Sequence, residues 1–251
     1  MSRGRHPGRE INGWLVIHKP VEMTSARAVA VVKRITQAAK VGHGGTLDPF
    51  SEGLLPMALG KATKRLGQVL DGDKSYRCWI RFGSETDSGD PTGRVTERTD
   101  QVPDRAALEV ALQRFVGTQE QIPPAFSAIH VGGVRAYELA RRGEAVVMPP
   151  RSVVIHSLDL ETYDAGLAQV FVRCGKGTYM RALARDLGRH LGCLAHLERL
   201  LRTGTLGFSL EEGITLERLS QAVEENSLSL LLLPVDRVLD DIPVPRPQTA
   251  F

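Results

Sequence analysis

One short segment of the sequence, GHGGTLDP at residues 42–49, combines a carboxylate and an imidazole with a backbone that can take unusual conformations. Its glycines permit positive φ and let a ligand approach closely, while Pro49 biases Asp48 toward an extended conformation. An aspartate held stiffly in an open loop can act as a nucleophile or a base, or it can cap a turn. By itself the segment favours the turn cap, and His43 alone is likewise more often structural than catalytic.

A second segment, RCGKGTYMR at residues 173–181, gathers two glycines, three cations and an aromatic ring. It lies where a predicted strand gives way to a predicted helix, and the N-terminus of a helix favours a phosphate. Arg181 could pair with a carboxylate and hold that acid ionised, and Tyr179 offers a flat face for base stacking. The alternative is a basic strand end followed by a core tyrosine.

Signatures of metal and cofactor chemistry are absent from the sequence. It contains no H-E-x-x-H, no G-x-x-x-x-G-K-[ST] and no G-x-S-x-G. Its three cysteines, Cys78, Cys174 and Cys193, have no C-x-x-C spacing, so we expect buried thiols rather than a zinc site or a disulfide framework. We therefore expect no metal and no cofactor, and any catalysis must come from side chains alone.

The charge of the chain is small in total and uneven in its distribution. The formal net charge is +3, yet residues 1–80 carry +7 and residues 131–210 carry +4. These two basic blocks could form one face suited to phosphates, or they could be scattered over a solvated surface. The sequence has no apolar run of about 18 residues and no signal-peptide core, so we expect a cytoplasmic protein without a membrane span.

Local patterns predict the elements that must position these residues. A strand is expected over 12–19, and a helix over about 26–39 begins after Thr24 or Ser25 as its cap. We expect the glycine-rich stretch over 41–53 to be a constrained loop without regular structure.

The sequence YRCWIRF over 76–82 alternates like a half-buried strand, with Tyr76 on the more apolar face. Turn chemistry follows over 83–93, and then a helix capped by Asp104 and stopped by Gly117. Further elements are strands over about 152–158 and 168–174 and a helix over about 178–191. Strands in adjacent groups without a βαβα rhythm predict an α+β fold with a mixed, largely antiparallel central sheet flanked by helices and loops.

Four separated motifs resemble those of the bacterial TruB tRNA pseudouridine synthases. They occur in the expected order and spacing from about Gly13 to Pro234. They are KPVEMTS at 19–25, VGHGGTLDPFSEGLLP at 41–56, RCGKGTYMRALARDLG at 173–188 and LLRTGTLGFS at 200–209.

The resemblance implies the pseudouridine synthase fold and the isomerisation of uridine 55 in the T-loop of tRNA to pseudouridine. In that family the aspartate of the G-T-L-D-P segment, here Asp48, is the catalytic nucleophile. The glycosidic bond breaks, the uracil turns over while trapped, and C5 bonds to C1′, so no redox change occurs and no cofactor is needed. Attack on C1′, addition to C6 and removal of a C2′ proton all remain open to the carboxylate.

The resemblance also assigns roles to other positions. Tyr76 would stack on the flipped uracil, Arg181 would pair with Asp48, and Tyr179 and Leu200 would line the pocket. The remaining expected site residues are His43 against the RNA, Lys19, Lys64 and Lys176 on phosphates, and Asp90 as a family carboxylate near the site.

The sequence departs from the family pattern at two positions and at its end. The family usually has Thr, Ala or Ser where Gly44 stands, and Lys where His130 stands. The chain stops at Phe251, whereas its relatives commonly continue into an RNA-binding PUA module. We expect a basic tail over 1–11, a catalytic domain over 12–234, and a segment over 235–251 in which that module is absent or truncated.

The expected partner is tRNA, recognised at its T-arm stem-loop by a monomer with no obligatory protein partner and no membrane. Three alternatives remain. The first is the guide-RNA-dependent relative of archaea and eukaryotes, against which the 83–93 loop and the long 94–150 region argue. The others are a non-catalytic RNA-binding protein and, more remotely, a glycoside hydrolase with paired carboxylates.

Overall fold

The computed structural model describes residues 8–239, which divide into two compact units. Unit 1 contains residues 8–75 and 201–239, and unit 2 contains residues 76–200. Strands are β1 (Gly13–Lys19), β2 (Val41–His43), β3 (Glu52–Leu59), β4 (Lys74–Phe82), β5 (Ser84–Thr86), β6 (Val95–Arg98), β7 (Gly117–Gln121), β8 (His130–Val131), β9 (Val134–Arg135), β10 (Arg151–Asp164), β11 (Leu167–Cys174), β12 (Ala195–Thr205) and β13 (Phe208–Ser209). Helices are α1 (Ser25–Thr36), α2 (Leu66–Asp71), α3 (Arg105–Arg114), α4 (Ala136–Arg141), α5 (Met180–His190) and α6 (Leu216–Glu224).

Unit 1 is built around β3, a strand of mostly buried residues that the sequence patterns did not predict. β1 and β2 both run antiparallel to β3, whereas β12 pairs with it in parallel, with Arg202 opposite Gly53. Helices α1 and α6 cover the sheet with their apolar stripes. Their shared core consists of Ile11, Leu15, Ile17, Ala28, Val32, Ala38, Leu55, Met57, Leu59, Leu216, Leu219 and Leu228.

Helix α1 begins as predicted and ends earlier than predicted. The Thr24 hydroxyl accepts the N–H of Arg27 at 3.1 Å, which makes Thr24 the N-cap. Gln37 takes a left-handed conformation with φ of 56°, and its carbonyl accepts the N–H of Arg9. Because Ala38 pairs with Arg9 instead of continuing the helix, the expected boundary at residue 39 is wrong.

The loop expected over 41–53 is irregular only in its middle. Val41–His43 forms β2 because β3 supplies a hydrogen-bonding partner, with Gly42 opposite Ala58. The chain then leaves the sheet at Gly44 and returns to it at Glu52. Tertiary pairing has overridden the high glycine content here, and it fixes both ends of the intervening loop.

Unit 2 contains the predicted half-buried strand β4. Its residues Tyr76, Cys78, Ile80 and Phe82 are buried, while those between them are half-buried, as the alternation indicated. Strands follow in the order β4, β11, β10, β7, with β11 and β7 each antiparallel to β10. The chain passes between the two units within β4 and within β12.

The stretch expected to be a turn-rich loop over 83–93 begins with a strand. β5 pairs antiparallel with β6, and the tip between them is closed by the Asp87 N–H, which donates to the Arg94 carbonyl. The expected helix after Asp104 is present as α3, with Asp104 accepting the Ala107 N–H at 2.7 Å. It ends before Gly117, at Arg114.

The predicted fold class is confirmed: the sheet is mixed and mostly antiparallel, with helices and loops on its faces. The three cysteines are buried and free, as expected. Among residues 8–239, no helix is long and apolar enough to cross a membrane. The division into segments 1–11, 12–234 and 235–251 stays a prediction, and residues 1–7 and 240–251 of it lie outside the described part.

Candidate active site

The loop that carries Asp48 is folded as a tight turn between β2 and β3. Asp48 is half-buried, and its carbonyl accepts the N–H of Ser51 at 3.1 Å. The next carbonyl, that of Pro49, accepts the N–H of Glu22 at 2.7 Å. The backbone on the C-terminal side of Asp48 is therefore tied both to itself and to the segment before α1.

A single buried hydroxyl holds the other side of Asp48. Ser25 is 3% exposed, and its Oγ accepts the Leu47 N–H at 2.9 Å and donates to the Leu47 carbonyl at 3.1 Å. The sequence offered Thr24 and Ser25 as alternative caps. Since Thr24 performs the capping, Ser25 is available to hold the residue that directly precedes Asp48.

Arg202 lies beneath the same loop and is 1% exposed. Its Nε donates to the Leu54 carbonyl at 2.7 Å, and its Nη2 donates to the Gly45 carbonyl at 3.1 Å. Gly45 has φ of +117°, a region that favours glycine, and a Cβ there would lie 3.3 Å from Arg202 Nη1. A side chain at position 45 would therefore strain the backbone and crowd the guanidinium.

The unusual glycine at position 44 has a steric explanation in this chain. A Cβ on Gly44 would lie 2.6 Å from Val69 Cγ1, closer than two carbons can pack. Val69 is fully buried in α2, so a side chain at position 44 would require Val69 to move.

Lys19 has a different environment from the one expected for a phosphate contact. It is 0% exposed, and its Nζ donates to the carbonyls of Pro20 at 2.8 Å and Met23 at 2.7 Å. Burial lowers the pKa of Lys19 to about 8, with the nearby negative charge of Asp48 opposing the shift and Arg202 adding to it. Lys19 is thus an internal cation that organises the turn before α1 and shares an electrostatic environment with Asp48.

His43 is half-buried at the end of β2. Burial lowers the pKa of its imidazole and the positive charge of Arg202 lowers it further, while a hydrogen bond with the Gly45 backbone opposes them. These effects together favour the neutral form of the ring. It can meet RNA through a hydrogen bond or a ring face, and its predicted contact with RNA stays a prediction.

Three of the residues expected in unit 2 lie in or directly beside regular elements. Tyr76 and Leu200 are buried in β4 and β12, and Tyr179 is half-buried at the residue before α5. The N–H of Tyr179 donates to Oε1 of the buried Gln121 at 2.8 Å. Gln121 was not singled out in the sequence, because a glutamine at the end of a strand resembles any surface amide.

Arg181 connects two loops of unit 2 from a position that is 4% exposed. Its Nη1 donates to the Ser88 carbonyl at 2.8 Å and lies 3.4 Å from Asp90 Oδ2, and its Nη2 donates to the Phe126 carbonyl at 2.9 Å. Asp90 is itself buried, and its Oδ1 accepts the Ser88 hydroxyl at 2.9 Å and the Thr92 N–H at 3.0 Å. Arg181 and Asp90 thus form one buried charged pair.

Within each unit the structure brings part of the predicted set together. Unit 1 groups Lys19, His43 and Asp48 around Arg202, and unit 2 groups Arg181 with Asp90. Lys64 and Lys176 are exposed, and their expected contacts with phosphates stay predictions. Over the described range 8–239, no group of three or more His, Cys, Asp or Glu residues could hold a metal ion.

Family models cover most of the chain. Residues 33–180 match the TruB family pseudouridylate synthase N-terminal domain, and residues 181–240 match the tRNA pseudouridylate synthase B C-terminal domain. The chain belongs to the TruB family of pseudouridylate synthases. Members of this family are isomerases, so the chain is a TruB-type isomerase.

Curated relatives agree with this assignment. The tRNA pseudouridine synthase B of Rhodopseudomonas palustris is 46% identical over 248 residues, which cover 96% of this chain and 68% of that protein. The tRNA pseudouridine synthase B of Bordetella parapertussis is 47% identical over 232 residues, which cover 90% of this chain and 93% of that protein.

Solved structures show the same fold. A chain in the crystal structure of a Cbf5-Nop10-Gar1 complex superposes with a TM-score of 0.72 at 27% identity. The match covers 90% of the TruB chain and 61% of the Cbf5-complex chain, so the TruB chain spans about three fifths of that relative's length.

Proposed function

We propose that this TruB protein is a tRNA pseudouridine(55) synthase in which Asp48 is the nucleophile and no cofactor takes part. The observation that carries the proposal is the held backbone of Asp48, which limits where its carboxylate can lie: the neighbouring peptide groups are bonded to Ser25, Glu22 and Ser51. A carboxylate of fixed position is what covalent catalysis on a nucleoside requires, and the matching relatives are named tRNA pseudouridine synthase B.

The chemistry needs only a change of connectivity. The C1′–N1 bond of the uridine breaks, the uracil rotates, C5 bonds to C1′, and the proton leaves C5 while N1 gains one. Asp48 can assist by attack on C1′, by addition to C6 or by removal of the C2′ proton. Deuterium at C2′ slows the reaction through a primary isotope effect only if removal of the C2′ proton limits the rate.

The proposal gives four further residues a role at the uridine. Tyr76 would stack on the extruded base, Tyr179 and Leu200 would line its pocket, and Arg181 would pair with Asp48. Extrusion costs a few kcal/mol, and stacking returns about 1–3 kcal/mol per base. The bonds from Arg181 to Ser88 and Phe126 support this role, because they fix the guanidinium before RNA binds.

We propose the T-arm stem-loop of tRNA as the element bound, by a monomer in the cytoplasm without an obligatory protein partner. The exposed ammonium groups of Lys64 and Lys176 and the basic blocks 1–80 and 131–210 support phosphate contacts. Asp90 would act through Arg181, with which it is paired in the structure.

A guide-dependent enzyme is the second candidate, because the superposed chain comes from a complex with Nop10 and Gar1. The identity of 46% to tRNA pseudouridine synthase B, against 27% to that chain, favours the guide-free enzyme.

Incubation with an unmodified tRNA transcript, followed by pseudouridine mapping at single-nucleotide resolution, tests the proposal. We expect pseudouridine at position 55 without guide RNA or partner protein. Modification elsewhere would refute the position, and activity only after addition of guide RNA would favour the second candidate. An isolated T-arm hairpin should be modified as well, and its failure beside an active whole tRNA would refute local recognition.

A further inference from the structure

We propose that Arg202 is a positioning residue for pseudouridine formation, holding the Asp48 loop in its reactive geometry from beneath. The inference rests on the proposed function, since it assigns a task within the same reaction. It arises from three observations on one side chain: where its hydrogen bonds go, how deeply it is buried and which charges it reaches.

The hydrogen bonds of Arg202 connect the two ends of the loop. Its Nη2 reaches the carbonyl of Gly45, three residues before Asp48, and its Nε reaches the carbonyl of Leu54, six residues after it. One rigid planar group therefore ties the start of the loop, at Gly45, to the strand that follows the loop, at Leu54. The fork of a guanidinium can span two such acceptors, whereas an ammonium acts as a point charge.

The backbone of Arg202 is equally fixed. Residue 202 pairs in parallel with Gly53, and a Cβ on Gly53 would lie 2.4 Å from the Arg202 carbonyl oxygen. Gly53 also has φ of +106°, so this close crossing of β12 and β3 depends on glycine. The backbone that carries the guanidinium therefore cannot move independently of β3.

The burial of Arg202 indicates that it acts in the chemical step and not in RNA binding. With 1% of its surface exposed, the side chain is closed off from RNA, in contrast to the exposed Lys64 and Lys176. Removing it should therefore leave phosphate contacts and tRNA affinity intact. The loss should fall on the rate of the reaction once RNA is bound.

The charge of Arg202 adds an electrostatic part to this role. It lowers the pKa of both Lys19 and His43, and Lys19 also responds to the charge of Asp48. The three side chains Arg202, Lys19 and Asp48 therefore lie in one electrostatic environment. A permanent cation in that environment favours the ionised form of a carboxylate, which is the nucleophilic form.

The test compares R202M, R202K and R202A with the unaltered protein. Single-turnover pseudouridine formation is measured with saturating enzyme, tRNA affinity by filter binding, and the folded fraction by thermal unfolding. The matched control is R237M, because Arg237 also lies in unit 1 and donates its Nε to a backbone carbonyl, that of Gly207, at 3.0 Å.

We expect R202M to lose about 100-fold in single-turnover rate per folded molecule, the scale of a displacement of about 1 Å, while its tRNA affinity changes by less than about twofold. R202K keeps the positive charge but not the forked guanidinium. Its single-turnover rate should lie between the rates of R202M and the unaltered protein. Added guanidinium should restore part of the single-turnover rate of R202A. It should not restore the rate of Asp48→Asn. R237M should lose stability without losing rate per folded molecule.

An R202M protein that retains the rate of the unaltered enzyme would overturn the proposal, as would a loss confined to tRNA affinity. If R202M fails to fold, R202K and the guanidinium rescue of R202A decide the matter, and a full-rate R202K together with an unrescued R202A would overturn the positioning role. The activity of the unaltered protein distinguishes a failure of this proposal from a failure of the proposed function. If the unaltered protein is inactive on tRNA, the proposed function is refuted.

Discussion

The hydroxyl of Ser25 is the smallest group whose removal should affect catalysis. Ser25→Ala deletes one oxygen and leaves the Leu47 N–H without its acceptor at 2.9 Å and the Leu47 carbonyl without its donor at 3.1 Å. Both peptide groups are buried together with Leu47, so water cannot replace the hydroxyl without opening the loop. The backbone before Asp48 then loses its main tether.

The expected cost follows from the two lost contacts. An unsatisfied buried polar group costs about 1–3 kcal/mol, so the two groups together should lower the free energy of unfolding by about 2–6 kcal/mol. If the loop relaxes to bond elsewhere, Asp48 shifts, and a shift of about 1 Å corresponds to about 100-fold in rate. We therefore expect a decrease of about 10-fold to 100-fold in single-turnover rate at unchanged tRNA affinity.

Urea unfolding measures the first quantity, and single-turnover pseudouridine formation with filter binding measures the others. Ser51→Ala is the matched control, because Ser51 is also fully buried near Asp48, yet its Oγ has no hydrogen-bond partner among the described residues. That substitution should be neutral or stabilising and should keep the rate. Equal effects of the two substitutions on stability and rate would refute the reasoning.

Further substitutions test three separate parts of the structure. The pKa of Lys19 is about 8 in the folded protein and near 10.5 in the unfolded chain, so the unfolded state binds one more proton between these pH values. The free energy of unfolding should therefore rise by at most about 3 kcal/mol as the pH increases through this range. Lys19→Met should remove that rise when urea unfolding is measured at several pH values. Gly44→Ala should cost about 1–3 kcal/mol by collision with Val69, and adding Val69→Ala should restore the thermal midpoint; a stable single variant would contradict the collision. Lys64→Gln and Lys176→Gln should each lower the slope of log affinity against log salt concentration by about 0.7–0.9, and an unchanged slope would exclude that lysine from phosphate contact.

Patterns confined to one element were predictable from the sequence. The alternation in β4 and the caps at Thr24 and Asp104 each depend on neighbours a few residues away. The motif around Asp48 was predictable as a stiff loop for the same reason, because its glycines and Pro49 act locally.

The support beneath Asp48 was not predictable, because it depends on distant parts of the chain. Ser25 looks like a helix cap, and only the approach of Leu47 gives its hydroxyl another role. Arg202 lies within the LLRTGTLGFS motif, but nothing in that motif alone shows that its side chain is buried rather than on the surface. A phosphate contact was similarly expected for Lys19. In the structure its side chain is buried inside unit 1 and donates to two backbone carbonyls.

The central claim is that the carboxylate of Asp48 performs the reaction, and Asp48→Asn tests it most directly. The substitution keeps the shape of the side chain and removes its charge, and Asp236→Asn at an exposed position is the matched control. Pseudouridine at position 55 and tRNA affinity are measured side by side for both variants. The account predicts undiminished binding with no detectable pseudouridine for Asp48→Asn, and substantial residual pseudouridine formation would contradict it.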